Sequence, residues 1–335
     1  TTFSSKGTFG FQRVSPGNYV NRFAYAVSGS ENGAKSYSVS KTGTLTAGNS
    51  RATGGGPTEI VMHPSGRLLY VLNAMAGSVS SSYISPETGN LEPVGVVSNS
   101  FSPIAGVVTP DGNHLLVSGN TGIYRFSPYG NGFPQSGVRK VSTGSSDLVV
   151  DPSGRFLYAT SGGAVRVYSL DNLSAGSDLT LLDTKSYAGA ATSGSLVVHP
   201  WGNYVYAISS SESTITTYEV SSLGVLTPVE SALDTGALPF RAAVTPSGQF
   251  LYLTNLADTT LSIFEIDTDG SLIAKTGLTV PAGCRSVAVD PGGLFAYITN
   301  STQNTLSTYS INTGGSLTFI DSETVGTARD VATTP

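Results

Sequence analysis

The chain is short of several things, and each shortage excludes a class of protein. It has one cysteine, Cys284, among 335 residues. Neither an intramolecular disulfide nor a cysteine-cluster zinc site is therefore available. Three histidines, His63, His114 and His199, leave little for a histidine triad or a histidine metal site. Charged residues make up 12% of the chain, about half the usual share of roughly 25%. The net charge is −5 and no basic stripe is present, so nucleic acid is disfavoured as a partner. No uninterrupted apolar run approaches the ~18 residues a membrane-spanning helix needs. There is no Gly-x-Ser-x-Gly elbow, no phosphate-binding P-loop and no helical 3.6-residue periodicity.

What is abundant points the other way. Forty glycines and 17 prolines predict many turns and few long helices. A hydrophobic share of 39% is enough for a sizeable core. The chain starts at Thr1, with no charged n-region and apolar h-region. Either a leader has been removed or the chain has been trimmed; its Ser/Thr/Gly-rich, charge-poor texture suits a secreted or periplasmic protein, with a cytoplasmic one as the alternative. Two glycosylation-type tripeptides, at Asn172 and Asn300, are expected by chance in so Ser/Thr-rich a sequence.

One phrase recurs: an apolar run, a polar residue, proline, a small turn and a second apolar run. It reads VMHPSGRLLYVLN from Val61, VVDPSGRFLYATS from Val149 and AVTPSGQFLYLTN from Ala243. Its prolines are Pro64, Pro110, Pro152, Pro200, Pro246 and Pro291, separated by 46, 42, 48, 46 and 45 residues. Six residues after each stands Tyr70, Leu116, Tyr158, Tyr206, Tyr252 or Tyr297. A later aromatic (Tyr83, Tyr124, Tyr168, Tyr218, Phe264, Tyr309) and a glycine turn such as Gly270-Ser271-Leu272 complete each copy. Four short strands at this period are the pattern of a β-propeller blade. Residues 22–48 lack a first strand, and residues 328–335 supply one that ends in Pro335. The sequence therefore predicts an all-β, seven-bladed propeller of four-stranded blades in one domain. The C-terminal strand, 328–335, completes the N-terminal blade, with residues 1–21 as an N-terminal extension. A competing first strand, Val14-Ser15-Pro16-Gly17, fits less well, because Pro16 lies nine residues before Tyr25 rather than six.

In such a ring the first strand of each blade lines the central channel, and its start lies at one face, the top. Loops on a rigid scaffold carry sites. The positions six and five residues before each proline collect the charges: Glu59, Asp147, Arg241, Arg285, Arg329 and Asp330. Arginine is suited to a carboxylate or phosphate. Glu59 and Asp147 are then the acid–base candidates. Arg241, Arg285 and Arg329 are the anion clamp, although Arg241 is offset by one residue from the other two. Ion pairing at the channel mouth is the competing reading. Tyr187, Glu212 and Asn300 are top-loop candidates. His63 and His199, directly before blade prolines, are read as bottom-turn residues. Asp267-Thr268-Asp269-Gly270 is read as a hairpin and Cys284 as a small buried filler. No metal site is predicted.

The phrases LYVLN, LYLTN and AYITN, each after a Pro-x-Gly turn, resemble the YVTN-type propeller repeat. With the period and the closing strand, residues 22–335 resemble the lactonase-like seven-bladed family. That family includes the propeller-type 6-phosphogluconolactonase and the carboxymuconate-cyclising enzyme. The resemblance implies a cofactor-independent hydrolase, or lactonising enzyme, with an arginine at Arg285. A family Arg–His pair falls at Gly194 and Ser195, and a family glutamate falls at Ser210, two residues before Glu212. Two functional expectations follow. One is a lactonase-like propeller whose partner is a small anionic or lactone ligand. The other is a non-catalytic surface propeller that binds a ligand or protein. Both are expected to be monomeric.

Overall fold

The computed structural model describes residues 22–98, 102–127, 139–142, 145–171, 173, 178–187 and 194–335. The expected extension 1–21, with its alternative strand at Val14, and the tripeptide asparagine Asn172 lie outside them. Among the described residues there is no α-helix, and no helix long and apolar enough to cross a membrane.

The strands fall into seven antiparallel sheets. Their innermost strands are β4 (Pro57–Met62), β8 (Pro103–Val108), β12 (Asp147–Val150), β16 (Gly194–Val198), β21 (Pro239–Val244), β26 (Cys284–Val289) and β30 (Ala328–Thr333). Each touches the next, and β30 touches β4, which closes the ring. β30 also pairs with β1 (Arg22–Ser28), with Val331 opposite Ala26. The last strand therefore completes the first blade, in the order β3–β2–β1–β30, where β2 is Gly33–Val39 and β3 is Leu45–Ala52.

The repeated phrase builds this geometry locally. The proline opens a tight turn, and the glycine two residues on takes a positive φ. Six such glycines, Gly66, Gly112, Gly154, Gly202, Gly248 and Gly293, have φ between 65 and 75°, a region costly for any residue with a Cβ. The residue before the proline reaches the next blade's turn. His63 Nε2 lies 3.1 Å from the Gly112 carbonyl, and His199 Nε2 lies 3.1 Å from that of Gly248. Both histidines are thus bottom-face links between blades. The Tyr landmark works higher up. Tyr25, Tyr206 and Tyr252 are fully buried and donate their hydroxyls to Gly89, Gly270 and Gly315 in the following blade. Those glycines sit beneath Phe23, Tyr204 and Phe250 so closely that a Cβ would collide with the ring. The asparagine of the phrase clamps the top hairpin: Asn73 Nδ2 donates to Ser78 and Ser80, and Asn255 Nδ2 to Thr260 and Ser262. Seven hydrophobic clusters fill the spaces between blades. Burial of this apolar surface, at about 25 cal/mol per Å², is the main force holding the ring.

Candidate functional site

The top of the channel is shaped by a recurring irregularity. In β4, β8, β21, β26 and β30 the register with the second strand shifts at the top end. The extra residue of a bulge re-aims its side chain. Arg285 and Arg329 occupy this bulge. Arg241, one position further along, lies with Glu59, Asp147 and Asp330, five residues before the respective prolines. The three arginines therefore do not form one clamp. They divide into an inner level, holding Arg241, and a rim, holding Arg285 and Arg329.

At the inner level Arg241 spans the channel from the sixth blade. One guanidinium nitrogen is 2.7 Å from Asp147 Oδ1 and the other 3.1 Å from Glu59 Oε2. Asp147 is 2% exposed and has no spare capacity. Besides Arg241, its carboxylate accepts Ser195 Oγ at 2.9 Å, the Leu196 N–H at 2.8 Å and its neighbour Leu148 N–H at 3.0 Å. Asp330 is similarly engaged, by the Ile60 N–H at 2.9 Å and by the Ser286 hydroxyl. Both aspartates bond the next blade's backbone one position beyond their own level. They act as charged rivets between blades. Asp147, expected as an acid–base residue, is thus positioned as a partner of Arg241 and Ser195.

Glu59 differs. Arg241 holds one of its oxygens and the backbone of Gly106 adds a hydrogen bond. Burial pushes its carboxyl up to about 8, against the pull of Arg241, and the charges of Asp147 and Asp330 push the same way. For Arg241, burial disfavours the cation, but Asp147, Glu59 and Asp330 outweigh it and its pKa rises. Glu59, Asp147, Arg241, Ser286 and Asp330 line a channel cavity of about 250 Å³, walled otherwise by Val107, Val149, Leu196 and neighbouring apolar residues.

At the rim the balance reverses. Arg285 is half-buried with its guanidinium 4.5 Å from the Phe240 ring centre. Its Nε is buried without a hydrogen-bond partner. Burial, then Arg329 and, more weakly, Arg241, lower its pKa to about 10, while Asp330 opposes them. Arg329 lies flat across Gly29, its Nε 2.8 Å from where a Cβ would stand. The rim therefore presents two cations with few local counter-charges.

The remaining candidates fall elsewhere. Tyr187 is packed in the core between the fourth and fifth blades rather than reaching the mouth as a loop residue. Its hydroxyl occupies the place that a Cβ on Gly194 would take. Burial, with the Asp147 charge adding, pushes its pKa up to about 12. Glu212 is exposed on the hairpin between β17 (Tyr204–Ser209) and β18 (Thr214–Val220), with its own N–H on Ser209 Oγ. Asn300 is buried and donates to the Pro281 and Ala282 carbonyls. Cys284 is buried with its thiol pushed up to about 11 by desolvation, so it is no thiolate at neutral pH. Asp267 and Gly270 close a hairpin turn. Among the described residues no group of His, Cys, Asp and Glu is arranged to hold a metal ion. Sequence reasoning missed Ser195, Ser286 and Phe240. All three stand at the same two positions as the charged residues, and that register was the available signal.

Comparison with known proteins agrees with this architecture. The 6-phosphogluconolactonase of Pectobacterium carotovorum is 27% identical over 231 residues, covering 65% of this chain and 69% of that protein. The periplasmic gluconolactonase of Pseudomonas aeruginosa superposes with a TM-score of 0.81 at 19% identity, covering 94% of this chain and 99% of that one. A putative 6-phosphogluconolactonase from Bacteroides fragilis superposes equally well, with a TM-score of 0.81 at 16% identity and coverages of 94% and 98%. Residues 18–286, most of the propeller, match the family described as Lactonase, 7-bladed beta-propeller, and with its ring of seven blades closed by β30 the chain belongs to that family.

Proposed function

We propose that the chain is a cofactor-independent lactonase that opens a lactone at the top of the central channel. The observation that carries this reading is Glu59: an interior carboxyl beside a cavity, with its pKa near 8, below two rim cations. In the proposed reaction Glu59 takes a proton from water as the water oxygen bonds to the lactone carbonyl carbon. The developing oxyanion is held by Arg285. The ring C–O bond then breaks, and the proton passes from Glu59 to the leaving alkoxide. Arg329 adds charge at the rim, and Arg241 with Asp147 fixes the carboxyl of Glu59. Relatives named for 6-phosphogluconolactone and gluconolactone hydrolysis support a sugar-type lactone as the first substrate class to try.

A second reading is favoured by one observation. Asp147 and Asp330 are engaged as inter-blade rivets, as a structural core of charges would be. In that reading the rim binds an anion and nothing is turned over.

The test is a pH-indicator assay over a panel of sugar lactones and muconolactones, with Arg285→Ala and Glu59→Gln alongside. Turnover that falls at least a hundredfold in both variants supports the lactonase. An inactive wild type across the panel would leave the binding reading.

A further inference from the structure

The rim cation most in need of a partner is Arg285, and its guanidinium stands against an aromatic ring. Its guanidinium carbon stands 4.5 Å from the ring centre of Phe240, and the guanidinium carbon of Arg241 stands 5.9 Å from the same centre. Phe240 is thus placed between a cation of its own strand and a cation of the next blade. Among the described residues the Arg285 side chain makes no hydrogen bond or ion pair, and its buried Nε is unpartnered. The adjacent charges of Arg329 and Arg241 repel it. An arginine so placed would be driven out into solvent unless something attractive held it. Asp330 attracts it from a distance, but that carboxylate hydrogen-bonds Ser286 and the Ile60 N–H and forms no ion pair with Arg285. The direct contact of the guanidinium is with the negative face of the Phe240 ring, an attraction worth about 0.5–2 kcal/mol. Phe240 occupies its position because the register shift between Pro239 and Ala242 inserts an extra residue there.

We propose that Phe240 is a positioning residue: it holds the Arg285 guanidinium by its face, across the channel mouth, so that its N–H edge is left for the anionic group of the ligand. The proposal rests on the reading of Arg285 as the ligand's anion partner. A guanidinium bound by its face keeps its planar fork of donors free, so ring and anion are accommodated together. The ring itself touches no reacting atom. Aromatic character at residue 240 therefore sets affinity for the anion and leaves the chemistry of Glu59 unaltered.

The test uses calorimetric titration of the whole chain with inorganic phosphate and, separately, with D-gluconate, so that both kinds of oxyanion are sampled without turnover. The variants are Phe240→Leu, Phe240→Tyr and Arg285→Ala, each checked by thermal melting. The expected result is that Arg285→Ala abolishes binding, Phe240→Leu weakens it roughly tenfold, and Phe240→Tyr binds within about twofold because the π face is kept. On any lactone that the wild type turns over, Phe240→Leu should lower kcat/KM, because Arg285 also holds the developing oxyanion, and leave the limb of the pH profile near 8, set by Glu59, in place. If Arg285→Ala abolishes binding but Phe240→Leu matches the wild type, the positioning role is wrong and the anion reading of Arg285 stands. If the wild type binds neither anion, or Arg285→Ala binds as well as the wild type, both fall. A Phe240→Leu chain too unstable to titrate leaves Phe240→Tyr as the deciding variant: a tyrosine that bound more than tenfold weaker would overturn the proposal.

Discussion

Arg241 and Arg285 stand one sequence position apart in blade register and do opposite things. Arg241 is surrounded by Glu59, Asp147 and Asp330, and its charge is held more strongly than in water. Arg285 faces Arg329 and a phenyl ring, and its charge is held less strongly, with a pKa near 10. Charge that is satisfied within the protein stabilises the fold. Charge that is left over is available to a ligand, and stability is often reduced where function needs it. On the proposed reading the inner ring is mainly architecture and the rim recognition, with Glu59 at the boundary between them.

The most severe way to break this contrast is to remove Arg241. Arg241→Ala leaves three carboxylates facing one another in the channel, and losing one member of a buried pair costs about 3–5 kcal/mol. Chemical denaturation should show that loss, together with loss of any activity. Arg285→Ala should show the reverse: activity or anion binding gone, with a melting temperature equal to or above that of the wild type. A destabilised Arg285→Ala chain would mean that the rim is structural after all.

The pH dependence sharpens the same contrast. If ionised Glu59 is the base and protonated Arg285 the anion holder, turnover should rise as pH passes about 8 and fall as it passes about 10. Glu59→Gln should remove the lower limb. Stability carries a related signature. The Glu59 carboxyl titrates near 8 in the fold against an ordinary 4.5, so the unfolded chain gives up this proton first. The stabilisation from neutral Glu59 is complete below pH 4.5 and is lost as pH rises to about 8. Thermal melts of Glu59→Gln against wild type across that window should diverge in the variant's favour.

Smaller effects separate the two aspartate rivets from the base. Asp147→Asn keeps a side chain of the same shape but weakens the contacts to Arg241 and Ser195, and should cost about 1–3 kcal/mol in denaturant unfolding. The smallest expected effect lies in the core between blades, away from the channel. Tyr252→Phe removes one buried hydroxyl from the Gly315 carbonyl, 2.9 Å away, and should cost about 1 kcal/mol with no change in ligand binding.

The ring was legible because its instructions are local and repeated. Proline, a positive-φ glycine and a buried tyrosine recur at one spacing, so each copy confirms the others. Closure by residues 328–333 was legible for the same reason, since ARDVATTP ends in the expected proline. The division of the arginines was only partly legible. Their offset is visible in the sequence, but the bulge that puts Arg285 and Arg329 at the rim depends on how each inner strand pairs with its neighbour. Tyr187 was misplaced for a related reason. Its packing is set by the missing side chain of Gly194, in another strand, and nothing in the residues around Tyr187 signals that vacancy. Phe240 went unnoticed because a search for charges passes over the ring beneath them.

The closing strand also ties the site to the order of synthesis. β1 is made well before its inner neighbour β30, and Phe23 and Thr334 are hydrogen-bonded across 311 residues of chain. Until β30 docks, β1 exposes an unpaired edge, the kind of surface on which other chains can add. Such long-range pairing is slow. Arg329 and Asp330 arrive on that same strand, so an unfinished ring lacks one rim cation and one rivet of the inner level. On the proposed reading, one docking event both completes the rim and covers the open edge of β1.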